Sequence, residues 1–188
     1  MGRWPGGTQQ RLQEAAIKLF SESGYDSTTV ADIAGTAGVT ERTFYNHFAD
    51  KRDVLFPDQQ QFIAEVAEAV TAAPPGQPPL DTILAALRHT ADWFDQHRDA
   101  AQRRRKILDT RAELRERELA KMAALDTAIA AALRERGCPT GTATLTAVAA
   151  VAAYRLAVDT WLTDPEHRSL RQHLNWSFEE LRAAAKNW

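Results

Sequence analysis

A chain of 188 residues, 44% hydrophobic and 26% charged, is long enough for a small domain joined to a larger one with a buried core. Its net charge of −2 excludes a broadly basic nucleic-acid coat, and the single Cys138 excludes an internal disulfide. Met1-Gly-Arg-Trp-Pro-Gly-Gly7 has no apolar run of the kind a signal peptide carries, which places the expected compartment in the cytoplasm.

The first predicted helix starts at Thr8 and runs to about Ser23, with Leu12, Ala15, Ala16, Leu19 and Phe20 on one stripe and Gly24 ending it. Arg3, in the short arm before it, is open to two readings, a minor-groove contact or plain disorder. Thr29 caps a second helix, Asp32 completes a capping box, and Val30, Ile33 and Ala34 face inward. Gly38 stops that helix, and Thr40 caps a third, with Glu41 set against its dipole. Two helices joined by so tight a turn form a helix-turn-helix.

In the third helix Phe44 and Phe48 share a face, and Arg42 and Asn46 point almost directly away from it, with Thr43, Tyr45 and His47 on the flanks. Such a helix docks its aromatics on a core and offers polar groups to the major groove, where Arg suits guanine and Asn suits adenine. The expected DNA contacts are Thr29, Thr40, Glu41, Arg42, Thr43, Tyr45, Asn46, His47 and, as a phosphate contact, Lys51. Residues 1–52 hold six basic groups (Arg3, Arg11, Lys18, Arg42, Lys51, Arg52) and six acidic ones (Glu14, Glu22, Asp26, Asp32, Glu41, Asp50). One copy therefore has no bulk electrostatic pull, and two copies in fixed register, reading half-sites ~34 Å apart or a multiple of it, supply the missing contacts.

A fourth helix is expected to open at Lys51 and run past Leu55 and Phe62 to about Ala72, with Pro57 either kinking it or delaying its start. Ala73-Pro-Pro-Gly-Gln-Pro-Pro79, four prolines in seven residues, breaks the chain. Further helices follow over Leu80 to His97, Arg98 to Leu108, Arg111 to Arg136, Thr142 to Leu162 and Ser169 to Lys186. The basic run Gln102-Arg-Arg-Arg-Lys106 reads as a solvated helix pairing with Asp109, Glu113 or Glu116, because consecutive charges cannot share a face. The eighth helix is apolar nearly all round, yet Arg155 and Asp159 and its alanine-rich make-up argue against a membrane span. With the ninth helix and its stripe Leu170, Leu174, Phe178, Leu181 and Ala185, it is expected to form a four-helix homodimer interface, the other reading being that both helices finish a monomer core. The fold expected is all-α with about nine helices: a DNA-binding helix-turn-helix domain over 1–52 and a larger helical domain over 53–188 that dimerises.

The run from Ala15-Ala-Ile-Lys-Leu-Phe20 through Gly24-Tyr-Asp-Ser-Thr-Thr-Val30, Ile33-Ala34, Ala37-Gly-Val-Thr40 and Thr43-Phe-Tyr-Asn-His-Phe48 to Lys51 resembles the DNA-binding domain of the TetR family of bacterial transcriptional regulators. Beyond it the likeness is one of length and helical character. The resemblance implies a double-stranded operator as partner, most often repression in place of activation, and a small-molecule effector in the second domain; it leans on Glu41, Arg42 and Tyr45 for DNA contact, where geometry favours Arg42 and Asn46 as base readers. For that pocket the candidate lining is Trp93, Phe94, His97, Met122, Asp126, Tyr154 and Trp161, which combine apolar bodies with polar tips. The opposing reading is a packed second domain controlled by a protein partner or by abundance. No catalytic constellation, metal site or cofactor is expected: His47, His89, His97, His167 and His173 form no ligand pair on one helix face, and no phosphate-cradling glycine loop or nucleophile elbow occurs.

Overall fold

The structure is a computed structural model describing residues 7–56 and 59–186, so the expectations for Arg3 and Pro57 fall outside the described residues. Among those described, the elements are α1 (Thr8–Ser23), α2 (Val30–Thr36), α3 (Glu41–His47), a 3-10 turn (Asp53–Leu55), α4 (Gln59–Thr71), α5 (Pro79–Gln96), α6 (Arg98–Leu108), α7 (Ala112–Glu135), α8 (Thr140–Thr163) and α9 (Leu170–Lys186). Packing divides the chain into two compact units, one joining the residues up to Gln59 to Asp99–Arg117, the other joining Gln60–Arg98 to the residues from Glu118 onward.

In the first unit α1 packs on α2, α3 and the 3-10 turn. Leu12, Ala16, Ile33, Phe44, Leu55 and Leu114 have no exposed surface, and Phe20, Ile107 and Leu108 join them in one core. Burying a side chain of this size stabilises by about 1.5–3 kcal/mol, which is what holds helices too short to persist alone. The turn between α2 and α3 depends on Gly38, whose φ of 69° is the left-handed conformation, and it closes with Val39 N–H donating to Ala34 O at 2.9 Å.

The chain does not enter α4 at Lys51. Asp50 Oδ1 accepts the N–H groups of Arg52 and Asp53 at 2.8 and 3.0 Å, and Asp53 Oδ2 accepts Ala49 N–H at 3.0 Å. Two aspartates thus offer the backbone local partners that compete with a helical ladder, and the segment becomes a turn and a 3-10 helix.

In the second unit α8 packs on α9 and on α5, and α5 on α9. α4 buries Phe62, Val66 and Val70, and α7 buries Leu125, Ile129 and Leu133, each at four-residue spacing. The proline-rich loop is tied down by Arg136, whose guanidinium donates to Ala73 O, and to Pro74 O at 2.9 Å. α8 is long and apolar enough to cross a membrane by length and composition, but it buries Ala147, Ala150, Tyr154, Ala157 and Trp161 inside the unit. The α9 stripe expected to face a partner is largely used at home. Leu170, Leu174 and Phe178 have no exposed surface, because α9 lays them against α8 and α5.

The α8–α9 turn is organised by Asp164, whose side chain is 1% exposed. It accepts Glu166 N–H and Arg168 N–H, the Arg168 guanidinium at 2.9 Å and His173 Nε2 at 3.1 Å. The Arg168 hydrogen bond, followed by those from Glu166 and His173, outweighs burial and holds the Asp164 carboxyl well below the usual carboxylate range.

Candidate nucleic-acid interface

α2 and α3 are seven residues each, so their ends carry much of their stability. Thr29 N–H donates to Asp32 Oδ2 at 2.8 Å, the Thr29 hydroxyl donates to the same oxygen at 2.6 Å, and Asp32 N–H returns a bond to Thr29 Oγ1 at 3.1 Å. These Thr29 bonds hold the Asp32 carboxyl below its ordinary range. At α3, Thr43 N–H donates to Thr40 Oγ1 at 3.2 Å, and the two threonine hydroxyls lie 2.9 Å apart. Thr29, Thr40 and Thr43 therefore shape the motif as well as lining its surface.

Phe44 and Phe48 are buried, with ring centroids 5.2 Å apart, and they set α3's rotation. That rotation leaves Glu41, Arg42, Asn46 and His47 exposed, along with Tyr45, which is 55% exposed although its ring meets Phe44 edge-on at 5.5 Å. Among the described residues Arg42 and Asn46 make no hydrogen bond or ion pair. The helix thus presents a guanidinium fork and a carboxamide, the two side chains with bidentate matches to base edges.

Lys51 has work within the unit that the sequence does not announce. Its Nζ donates to Tyr25 O at 2.8 Å and Thr28 O at 2.9 Å, and it stands 4.2 Å over the Tyr25 ring. With Thr28 Oγ1 donating to Gly24 O at 2.9 Å, this pins the loop that delivers Thr29 to its cap. Burial, then the Glu113 carboxylate, push the Tyr25 phenol up to about 12. On the other side of the unit, Arg104 Nε donates to Leu55 O, and Arg104 and Arg117 flank the Phe56 ring at 5.0 and 5.6 Å.

Of the residues expected to line an effector pocket, ring contacts bring together Trp93, Phe94, His97 and Tyr154. Phe94 and Tyr154 both lie 6.1 Å from Phe62, Trp93 meets Phe94 at 5.1 Å, and His97 stacks on Trp93 at 4.4 Å. Phe62 was missed as a member of this group, although its four-residue register with Val66 and Val70 was readable. Trp161 is not in the ring cluster. It lies beneath Arg98, which donates to Trp161 O and Asp164 O at 2.6 and 2.8 Å, and its own indole Nε1 is buried with no hydrogen-bond partner among the described residues. Met122 is buried on α7, and Asp126 one turn on is half-buried. Among the described residues no His, Cys, Asp and Glu side chains group as a metal site.

A helix-turn-helix with an open polar edge, set in one unit and followed by a helical second unit, is the build of a bacterial DNA-reading regulator. Residues 12–56 match the model for bacterial regulatory proteins of the tetR family, and residues 77–186, more than half of the chain, match that for the MftR C-terminal domain. The chain belongs to the TetR family. It is 35% identical over 81 residues to the HTH-type transcriptional regulator TcmR of Streptomyces glaucescens, covering 43% of this chain and 36% of TcmR. It is 31% identical over 105 residues to AcrR of Shigella flexneri, covering 54% of this chain and 46% of AcrR, so the matches span about half or less of these relatives' lengths. The crystal structure of Thermus thermophilus FadR, a TetR family transcriptional repressor in complex with lauroyl-CoA, superposes with a TM-score of 0.58 at 26% identity over 92% of each chain.

Proposed function

We propose that the protein is a sequence-specific DNA-binding transcriptional regulator of the cytoplasm, a repressor released from its operator when a small molecule fills the second unit. The observation that carries this reading is the α3 edge: Arg42 and Asn46 are exposed and make no hydrogen bond or ion pair among the described residues, opposite a buried Phe44 and Phe48. Glu41, Tyr45 and His47 flank the two readers, while Thr29 and Lys51 act chiefly by positioning the motif. With six basic and six acidic groups over residues 1–52, one copy has no bulk pull on DNA, and tight binding needs a second copy. The face of α8 that carries Leu145, Val148, Ala152 and Leu156 supports a homodimer, since these are 74%, 50%, exposed and 43% open, with Trp176 of α9 at 43%.

Two observations support an effector. FadR, similar over most of both chains, was crystallised with lauroyl-CoA. Among the described residues the buried Trp161 N–H has no acceptor, an arrangement that costs roughly 1–3 kcal/mol unless something supplies one. The competing reading, a packed second unit controlled by a protein partner or by abundance, draws on the way Phe62, Phe94 and Tyr154 fill space against one another. A thermal-shift screen against apolar and amphipathic metabolites separates the two, because only a ligand of the folded state raises the melting temperature.

The DNA reading is tested on duplexes selected from a random library. Arg42→Ala is expected to cost ~1–3 kcal/mol on the selected site and little on random duplex, relaxing preference at one base. Equal losses on both would sink the assignment.

A further inference from the structure

The first unit carries a cleft of 610 Å³ lined by Phe20, Ser21 and Tyr25 on one side and by Arg103, Lys106 and Thr110 on the other. Positions 103, 106 and 107 share one face of α6, and with Thr110 in the turn beyond its end they set two cations toward the end of α1 over an apolar floor. That floor is Phe20, Tyr25 and Ile107, with the two rings 5.0 Å apart.

The basic run of α6 is sorted by the fold. Arg104 is drawn to Leu55 O and Phe56, and Arg105 pairs with Asp109 at 3.3 Å. Arg111 at the cleft's rim pairs with Asp26. Arg103 and Lys106 make no hydrogen bond or ion pair among the described residues, and both are exposed. The C-terminus of α1 offsets only about half a charge. Two full positive charges over an apolar floor therefore stand without a counter-ion, and an isolated solvated helix would give them no floor at all.

We propose that this cleft binds a small organic anion, a carboxylate or phosphate monoester on a flat apolar body, at a site on the DNA-reading unit that is separate from any effector pocket in the second unit. The anion lies between Arg103 and Lys106, and its body covers Phe20, Tyr25 and Ile107. Its occupant touches Gly24 and Tyr25, the start of the loop that Lys51 pins, so binding stiffens the approach to α2.

The test is a titration of the full chain with 1-naphthoate, neutral 1-naphthamide and inorganic phosphate, followed by backbone amide shifts; it uses no operator, so its failure is distinct from failure of the DNA reading. Naphthoate is expected to give saturable shifts centred on Ser21, Gly24, Ile107 and Thr110. Arg103→Gln with Lys106→Gln is expected to weaken it by about tenfold for each charge-assisted bond lost, while Arg103→Lys with Lys106→Arg retains it. Naphthamide and phosphate should each bind more weakly than naphthoate. Unchanged binding in the glutamine variant, shifts centred elsewhere, no saturation, or phosphate binding as well as naphthoate would each overturn the proposal. A fourth arm with random-sequence duplex DNA completes the test: if the duplex alone shifts these amides, the two cations are backbone contacts and the proposal is overturned.

Discussion

α2 and α3, of seven residues each, stand on side-chain caps and long-range hydrogen bonds, whereas α8, of 24 residues, has no side-chain cap and keeps its form by burying alanines, Tyr154 and Trp161 against α5 and α9. The difference follows from nucleation. A helix shorter than about 12 residues is marginal in water, so each orphan backbone group at its ends matters, while a long helix spreads its nucleation cost over many buried positions. The first unit places its polar edge through such local devices. The second gathers its chief ones at the α8–α9 turn, where Asp164 collects its donors and Ser169 and Gln172 cap α9 reciprocally.

The largest effects should come where both units rely on burial alone. Phe44→Ala and Phe178→Ala are each expected to cost about 3–5 kcal/mol, read by hydrogen exchange within the unit concerned. If Phe178→Ala proved mild, α9 would belong less to its own unit than its burial states. Lys51→Ala comes next, at about 1–3 kcal/mol in the first unit, because it strips two loop carbonyls of a charged donor. Its melting should fall before its salt dependence on DNA changes; the reverse order would restore Lys51 as a plain phosphate contact. Thr29→Ala should cost ~1 kcal/mol and loosen α2, whereas Leu156→Ala on the exposed face of α8 should cost the folding of the single chain much less.

Asp164 supplies a pH test confined to the second unit. Its carboxyl is depressed in the folded protein, so the stability it contributes is fully present above the unfolded value of about 4 and is lost as pH falls through the lowered one. Acid melts of Asp164→Asn should lack that falling limb; an identical profile would show that the turn is not held by this charge. The smallest effect on folding is expected from Ala152→Glu, within about 0.5 kcal/mol, since this side is exposed in the single chain. The same variant should sediment as a monomer if α8 pairs two copies.

Much of the fold was legible because helix signals are local. Thr8 to Ser23 ends at Gly24 and Arg98 to Leu108 spans the residues its pattern gives, and the Thr29–Asp32 capping box is formed as its spacing requires. The rotation of α3 was readable too, since Phe44 and Phe48 had only one way to face a core. What the sequence determined by itself was thus the set of helices, their caps, the orientation of the reading helix and the family.

Only the tertiary structure decided where the long polar side chains go. Lys51 meets carbonyls 26 and 23 residues away, Arg104 one 49 residues away, and Arg98 reaches across 63 and 66 residues to the end of α8. No spacing rule on a single helix anticipates those partners. Nor could the run of Arg103 to Lys106 be divided, from composition, into two side chains bound to their neighbours and two left over a cleft. Helical order is set by backbone bonds a few residues long, but the partner of a flexible cation is set by whichever distant carbonyl the packed core brings within reach.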